Sequence, residues 1–153
     1  MATTGLPRWP WTNAEAEALP AAERLAIDAA RAWARAARTG TPALPAIRHL
    51  LATEDAGDAA EPLDRLLRAL AQSPLTVGCP LCPRLVGEEP ALLLALACAQ
   101  RGPRREALAC LLRRMTPWDA YAATAAAIEL GCAFRRAGLR FADPWNDTNG
   151  TMQ

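Results

Sequence analysis

The chain of 153 residues contains no lysine, one histidine (His49) and few aromatic side chains: five Trp, two Phe and one Tyr. Without lysine there is no Schiff-base nucleophile and no phosphate-loop lysine. With one histidine, most metal and acid–base constellations are excluded. No uncharged apolar run reaches the roughly 18 residues of a spanning helix. The longest, residues 91–100 and 120–128, fall well short. Residues 1–11 hold no apolar segment of the secretory kind. The default address is therefore the bacterial cytoplasm, where the five cysteines are expected to be reduced. Gly-rich phosphate loops, GxSxG elbows and HExxH helices are also missing. Glu54, Asp55 and Asp58 form an acidic loop without EF-hand spacing.

What remains is 52% hydrophobic and 22% charged, with a net charge of +1. That balance excludes wholesale disorder and any general attraction to polyanions. A chain this long can bury about two-thirds of its surface without a disulfide or a metal. All basic side chains except His49 are arginine and alanine is abundant, which matches a GC-rich coding bias. The arginine count by itself therefore says nothing about phosphate binding.

Hydrophobic periodicity predicts an all-α chain, an irregular orthogonal bundle of about six helices with short Pro/Gly links and disordered termini. Residues 1–12 read as an irregular arm, 13–140 as one helical domain and 141–153 as a flexible tail. Asn13 is placed to cap a short helical turn. A first strong helix is expected over 21–38, with Leu25, Ile27, Ala29 and Trp33 inward and Gly40 as C-cap. Its wet side would carry Arg24, Asp28, Arg31, Arg35 and Arg38. Further helices are expected over 45–52 and 61–72, the latter with an Asp64–Arg68 pair. Residues 73–87, rich in Pro and Gly, form the main irregular segment. Residues 91–100 are apolar nearly all round and should form the central helix, with Glu88, Glu89 and Pro90 as its first turn. Helices over 104–115 and 117–137 follow, Thr116 capping the second and Gly138 closing it. The small side chains of 122–127 invite close approach by a neighbouring helix. No repeat with a period of about 34 or 40 residues is present.

The densest short stretch chemically is Cys79-Pro80-Leu81-Cys82-Pro83. A C-P-x-C turn aims two thiols around one tight loop, which is half of a tetrahedral zinc or iron site. The second half is missing, so a metal would need Cys79, Cys82 and Cys98 plus one more ligand, or a site shared across a dimer. A dithiol redox role is the other chemical option, since a helix N-terminus just beyond the loop lowers a thiol pKa. Cys98, Cys110 and Cys132 sit among apolar neighbours and should pack as small hydrophobes. His49 would act as a base only if the fold brought it to Cys79 or Cys82. No catalytic set is identified.

Two features suggest a macromolecular partner. Trp9 and Trp11 lie in the Pro-rich arm, where one of them could instead dock on the domain. Three arginine pairs, Arg104-Arg105, Arg113-Arg114 and Arg135-Arg136, fall in a locally basic C-terminal half. They could meet phosphates or an acidic protein surface, or simply form solvated helix ends. A helix-turn-helix drawn over 104–137 would offer Trp118, Asp119 and Tyr121 to DNA, a poor set for reading bases. The leading expectation is a small helical protein that binds another protein as an accessory or adaptor without catalysis, with no cofactor. The alternatives are a thiol-based metal or redox protein using Cys79 and Cys82, possessing zinc or iron if metal-bound, and a nucleic-acid-binding helix pair. No membrane association is expected.

Overall fold

The structure, a computed structural model, describes residues 11–144. Trp9 and the chain beyond residue 144 lie outside the described residues. Six α-helices follow in order: α1 (Ala21–Thr39), α2 (Ala43–Ala52), α3 (Ala60–Leu70), α4 (Glu89–Arg101), α5 (Arg104–Leu112) and α6 (Pro117–Arg136). Short 3-10 turns at Ala16–Ala18 and Gly57–Ala59 precede α1 and α3. Among the described residues there is no strand, only an isolated antiparallel bridge between Glu15 and Arg84. No described helix is long and apolar enough to cross a membrane.

The all-α bundle follows from the apolar stripes. α3 aims Leu63, Leu66, Leu67 and Leu70 inward, the i, i+3, i+4, i+7 pattern. It packs chiefly on α6. α4 is buried from Leu92 through Gln100 and packs against α1, α5 and α6, which makes it the central helix. α2 lies on α1 and α3. The helix boundaries obey local chemistry. Thr116 accepts a hydrogen bond from the Asp119 backbone N–H and Pro117 opens α6, while Gly40 closes α1 in the left-handed region at φ 71°. Asp64 holds Arg68 at 2.8 Å and also accepts from Trp33 Nε1 at 2.8 Å, joining α3 to α1.

Several sequence expectations need correction. Asn13 does not cap a helical turn. It sits at φ 59°, and the 3-10 turn that follows has Glu15 at its N-cap. Arg31 is not on the wet side of α1 but only 1% exposed, because Glu89 of α4 neutralises it. The chain does not leave the domain at residue 141. Phe141 is buried and stacks on Phe134 with centroids 5.4 Å apart. Its backbone N–H donates to Gln100 Oε1 at 2.7 Å, and that of Ala142 to Glu23 Oε1 at 2.6 Å. Cys132 is exposed, since position 132 falls on the outer face of α6.

Candidate functional site

Residues 71–88 join α3 to α4 and carry the Cys-Pro-Leu-Cys turn. With so little regular structure, such a loop needs partners for its backbone groups. Two buried side chains supply them. Arg31 reaches from α1 and pairs with Glu89 through Nε at 2.6 Å and Nη2 at 3.0 Å. Arg31 Nη1 donates to the Cys82 carbonyl at 2.7 Å, and Nη2 to the Arg84 carbonyl at 3.0 Å. Glu89 accepts the Gly78 and Val86 backbone N–H groups, each at 2.8 Å. The ion pair therefore holds the chain on both sides of the two cysteines. Burying two charges is tolerable here because the planar fork and both carboxylate oxygens find partners. The hydrogen bond to Glu89 holds the Arg31 pKa above its ordinary value.

Two glycines let the loop close. A Cβ at Gly78 would lie 3.0 Å from Arg31 Nη2 and 3.1 Å from Glu89 Oε1. At Gly87, φ is 54° and a Cβ would fall 2.3 Å from the Thr76 carbonyl oxygen. The far side of the loop is tied to the segment before α1. Ala16 N–H donates to the Pro83 carbonyl at 2.8 Å, and Leu85 N–H to that of Ala14 at 2.9 Å. Trp11, in the arm, is only 7% exposed and belongs to the core.

Held this way, the Cys79 and Cys82 sulfurs stand 2.9 Å apart. Cys82 N–H closes the turn on the Cys79 carbonyl at 3.0 Å, and Cys79 N–H donates to Cys82 Sγ at 3.2 Å. Cys79 is exposed and Cys82 half-buried. The two thiols divide their acidity. The hydrogen bond from Cys82 lowers the Cys79 pKa, with help from the Leu81 amide and the Arg31 charge. Donating that bond raises the pKa of Cys82. Of the two, Cys79 is therefore the first to ionise and Cys82 keeps its proton longer.

An open cleft of about 530 Å³ adjoins the Cys82 side of the pair. Its walls are Glu15, Ala16 and Glu17, then Arg24, Asp28 and Arg31 of α1, then Pro80 to Arg84 of the loop. Leu81, between the cysteines, is 91% exposed.

The other sequence candidates are not assembled here. Cys98 is buried in α4, nine residues beyond Glu89, or about 14 Å along the axis at 1.5 Å per residue. Burial pushes its thiol up to about 11, and Cys110 adds to the effect. Among the described residues no group of three His, Cys, Asp or Glu could hold a metal ion, so Cys79, Cys82 and Cys98 do not converge as ligands. His49 is exposed on α2. The arginine pairs occupy three different helix ends. Arg114 bridges to Glu88 at 2.9 Å and to the Pro74 carbonyl at 2.7 Å. Arg135 donates to the Gln100 carbonyl at 2.7 Å, and Arg136 lies 4.0 Å from Asp58. Arg105 lies 3.8 Å from Glu106, and Arg104 and Arg113 are exposed.

The residues that sequence reasoning missed are Arg31 and Glu89. A faint signal existed: Arg31 follows Ile27 by four and precedes Ala34 by three, so it falls on the edge of the apolar stripe. No protein-family model, curated protein or solved structure matches the chain.

Proposed function

We propose that this protein is a small dithiol–disulfide redox protein of a reducing cytoplasm, with Cys79 as the attacking thiol and Cys82 as the resolving thiol. One observation carries the reading: the sulfurs of exposed Cys79 and half-buried Cys82 stand 2.9 Å apart on a loop clamped by a buried ion pair. A closure of less than about 1 Å converts that separation into an S–S bond. The Cys79 thiolate attacks one sulfur of a substrate disulfide, the substrate S–S bond breaks, and the departing thiolate takes a proton. The Cys82 thiol, deprotonated in turn, attacks Cys79 Sγ and releases the second substrate thiol. The protein gives up two electrons and the substrate gains them.

The test is a redox titration in dithiothreitol buffers, with trapped thiols counted by mass spectrometry. The expected result is one reversible Cys79–Cys82 disulfide. Cys79→Ser should abolish reaction with a disulfide substrate, and Cys82→Ser should leave a trapped mixed disulfide on Cys79. Absence of an internal disulfide at every potential would end the reading. Stoichiometric zinc or iron in anaerobically purified protein, lost from the Cys→Ser variants, would replace it with a shared metal site.

Protein binding is the second reading. It is favoured by Trp118 and Tyr121, exposed one turn apart at the start of α6, with exposed Leu112 at the end of α5. A specific partner retained by the native chain and lost by the Trp118→Ala, Tyr121→Ala double variant would support it. Equal recovery by both would remove it.

A further inference from the structure

The cleft beside the two sulfurs has the size of a small-molecule site, about 530 Å³ against the several hundred Å³ typical of such sites. Its lining alternates in charge. Glu17 and Asp28 offer carboxylates, and Arg24 and Arg84 offer guanidinium groups, all at the rim. Arg31 is not available to a ligand, because Glu89 and two loop carbonyls occupy it. The rim ion pairs are long and wet: Arg24 lies 3.8 Å from Asp28 and Arg84 3.6 Å from Glu15. Arg84 Nη1 also donates to the Asn13 carbonyl at 3.0 Å and Arg24 Nη1 to the Glu17 carbonyl at 3.4 Å. Exposed pairs hold little energy, so the remaining N–H groups of either arginine can turn to a bound carboxylate. The Glu17 side chain makes no ion pair among the described residues, which leaves it for an ammonium group. Cys82 and Pro83 form one wall while Cys79 stands just outside it, its sulfur 2.9 Å from that of Cys82, so a disulfide presented to Cys79 meets the edge of the cleft.

On the redox reading above, we infer that the cleft selects small zwitterionic disulfides, whose halves each carry an ammonium and a carboxylate group. Cys79 attacks the disulfide while Arg24 or Arg84 holds the carboxylate and Glu17 or Asp28 holds the ammonium. The chemistry is the two-electron exchange already written, with the small disulfide as oxidant and two zwitterionic thiols as products.

The experiment measures the rate at which the reduced full chain is oxidised by four small disulfides: cystine, cystamine, dithiodipropionate and hydroxyethyl disulfide. Each rate is divided by that disulfide's rate with free dithiothreitol, which removes intrinsic reactivity. Cystine should exceed the cationic, anionic and neutral compounds by about tenfold, the scale of two partly exposed charge contacts. Glu17→Gln and Arg24→Ala should each shrink that preference severalfold. Normalised rates equal for cystine and hydroxyethyl disulfide would overturn the zwitterion selection and leave the redox reading intact. A folded protein disulfide reacting as fast as cystine would overturn it too, in favour of a polypeptide occupant. Failure of every disulfide to oxidise the pair would sink the redox reading itself.

Discussion

At the scale of single residues, the site depends on charges that the helix pattern would have placed in water. Arg31 and Glu89 are 1% and 0% exposed and hold four backbone groups of the cysteine loop. Removing one member leaves the other charge buried alone. Glu89→Ala is therefore expected to cost about 3–5 kcal/mol in urea unfolding. An Arg31→Met, Glu89→Leu double variant should not recover it all, because the Gly78 and Val86 N–H groups would still lack acceptors. A double variant as stable as the native chain would show that the loop needs no clamp. The thiols make a second prediction. The hydrogen bond from Cys82 lowers the Cys79 pKa, so at any pH below the ordinary thiol range Cys79 holds more thiolate than a free cysteine. Iodoacetamide labelling over about pH 6 to 9 should modify Cys79 before Cys132, the other exposed cysteine. Equal labelling of the two would contradict this.

At the scale of elements, α4 and α6 approach each other closely at Gly131. A Cβ on Gly131 would lie 3.0 Å from the Gln100 Cβ and 3.1 Å from its Cα, so the two helices meet where a side chain is missing. The small residues of 122–127 promised such an approach, and the Gly131 contact lies one turn later. Gln100 then uses its amide fully. Nε2 donates to the Gly131 and Leu139 carbonyls, both at 3.0 Å, and Oε1 accepts from Phe141 N–H. Gly131→Val is expected to push the helices apart and to cost about 1–3 kcal/mol, read from the denaturation midpoint. An unchanged midpoint would mean that α6 slides freely on α4.

At the scale of the whole molecule, the chain is closed by its last described residues. Phe141 covers Phe134, while Arg101 Nη1 donates to the Phe141 carbonyl at 3.2 Å. Phe141→Ala should lose about 3–5 kcal/mol, the usual range for a buried aromatic. A loss under about 1 kcal/mol in calorimetry would show that the segment merely rests on the surface. Alkaline stability reports on the core. Burial raises the Cys98 pKa from 9.0 to about 11, so the unfolded chain releases this proton first as pH rises. The stabilisation is fully present below 9.0 and is lost progressively as pH climbs to about 11. Cys98→Ala should flatten that part of the stability curve, and identical curves for the two proteins would refute the assignment.

The sequence by itself determined the helical class, the order of the helices, the caps at Thr116 and Gly40 but not the one expected at Asn13, and the central place of α4. These follow from apolar spacing and from Thr116, Pro117 and Gly40, signals contained within one or two turns of chain. It also marked Cys79 and Cys82, because their spacing is local. Only the tertiary structure decided that these thiols sit 2.9 Å apart beside a cleft, and that Arg31 and Glu89 hold them there. Those two residues are 58 positions apart, and a charge on the edge of an apolar stripe looks solvated until its partner arrives from another helix. Phe141 entered the core for the same reason: the Gln100 side-chain oxygen that accepts its N–H and the aromatic face that receives it lie on α4 and α6, beyond the reach of any local pattern.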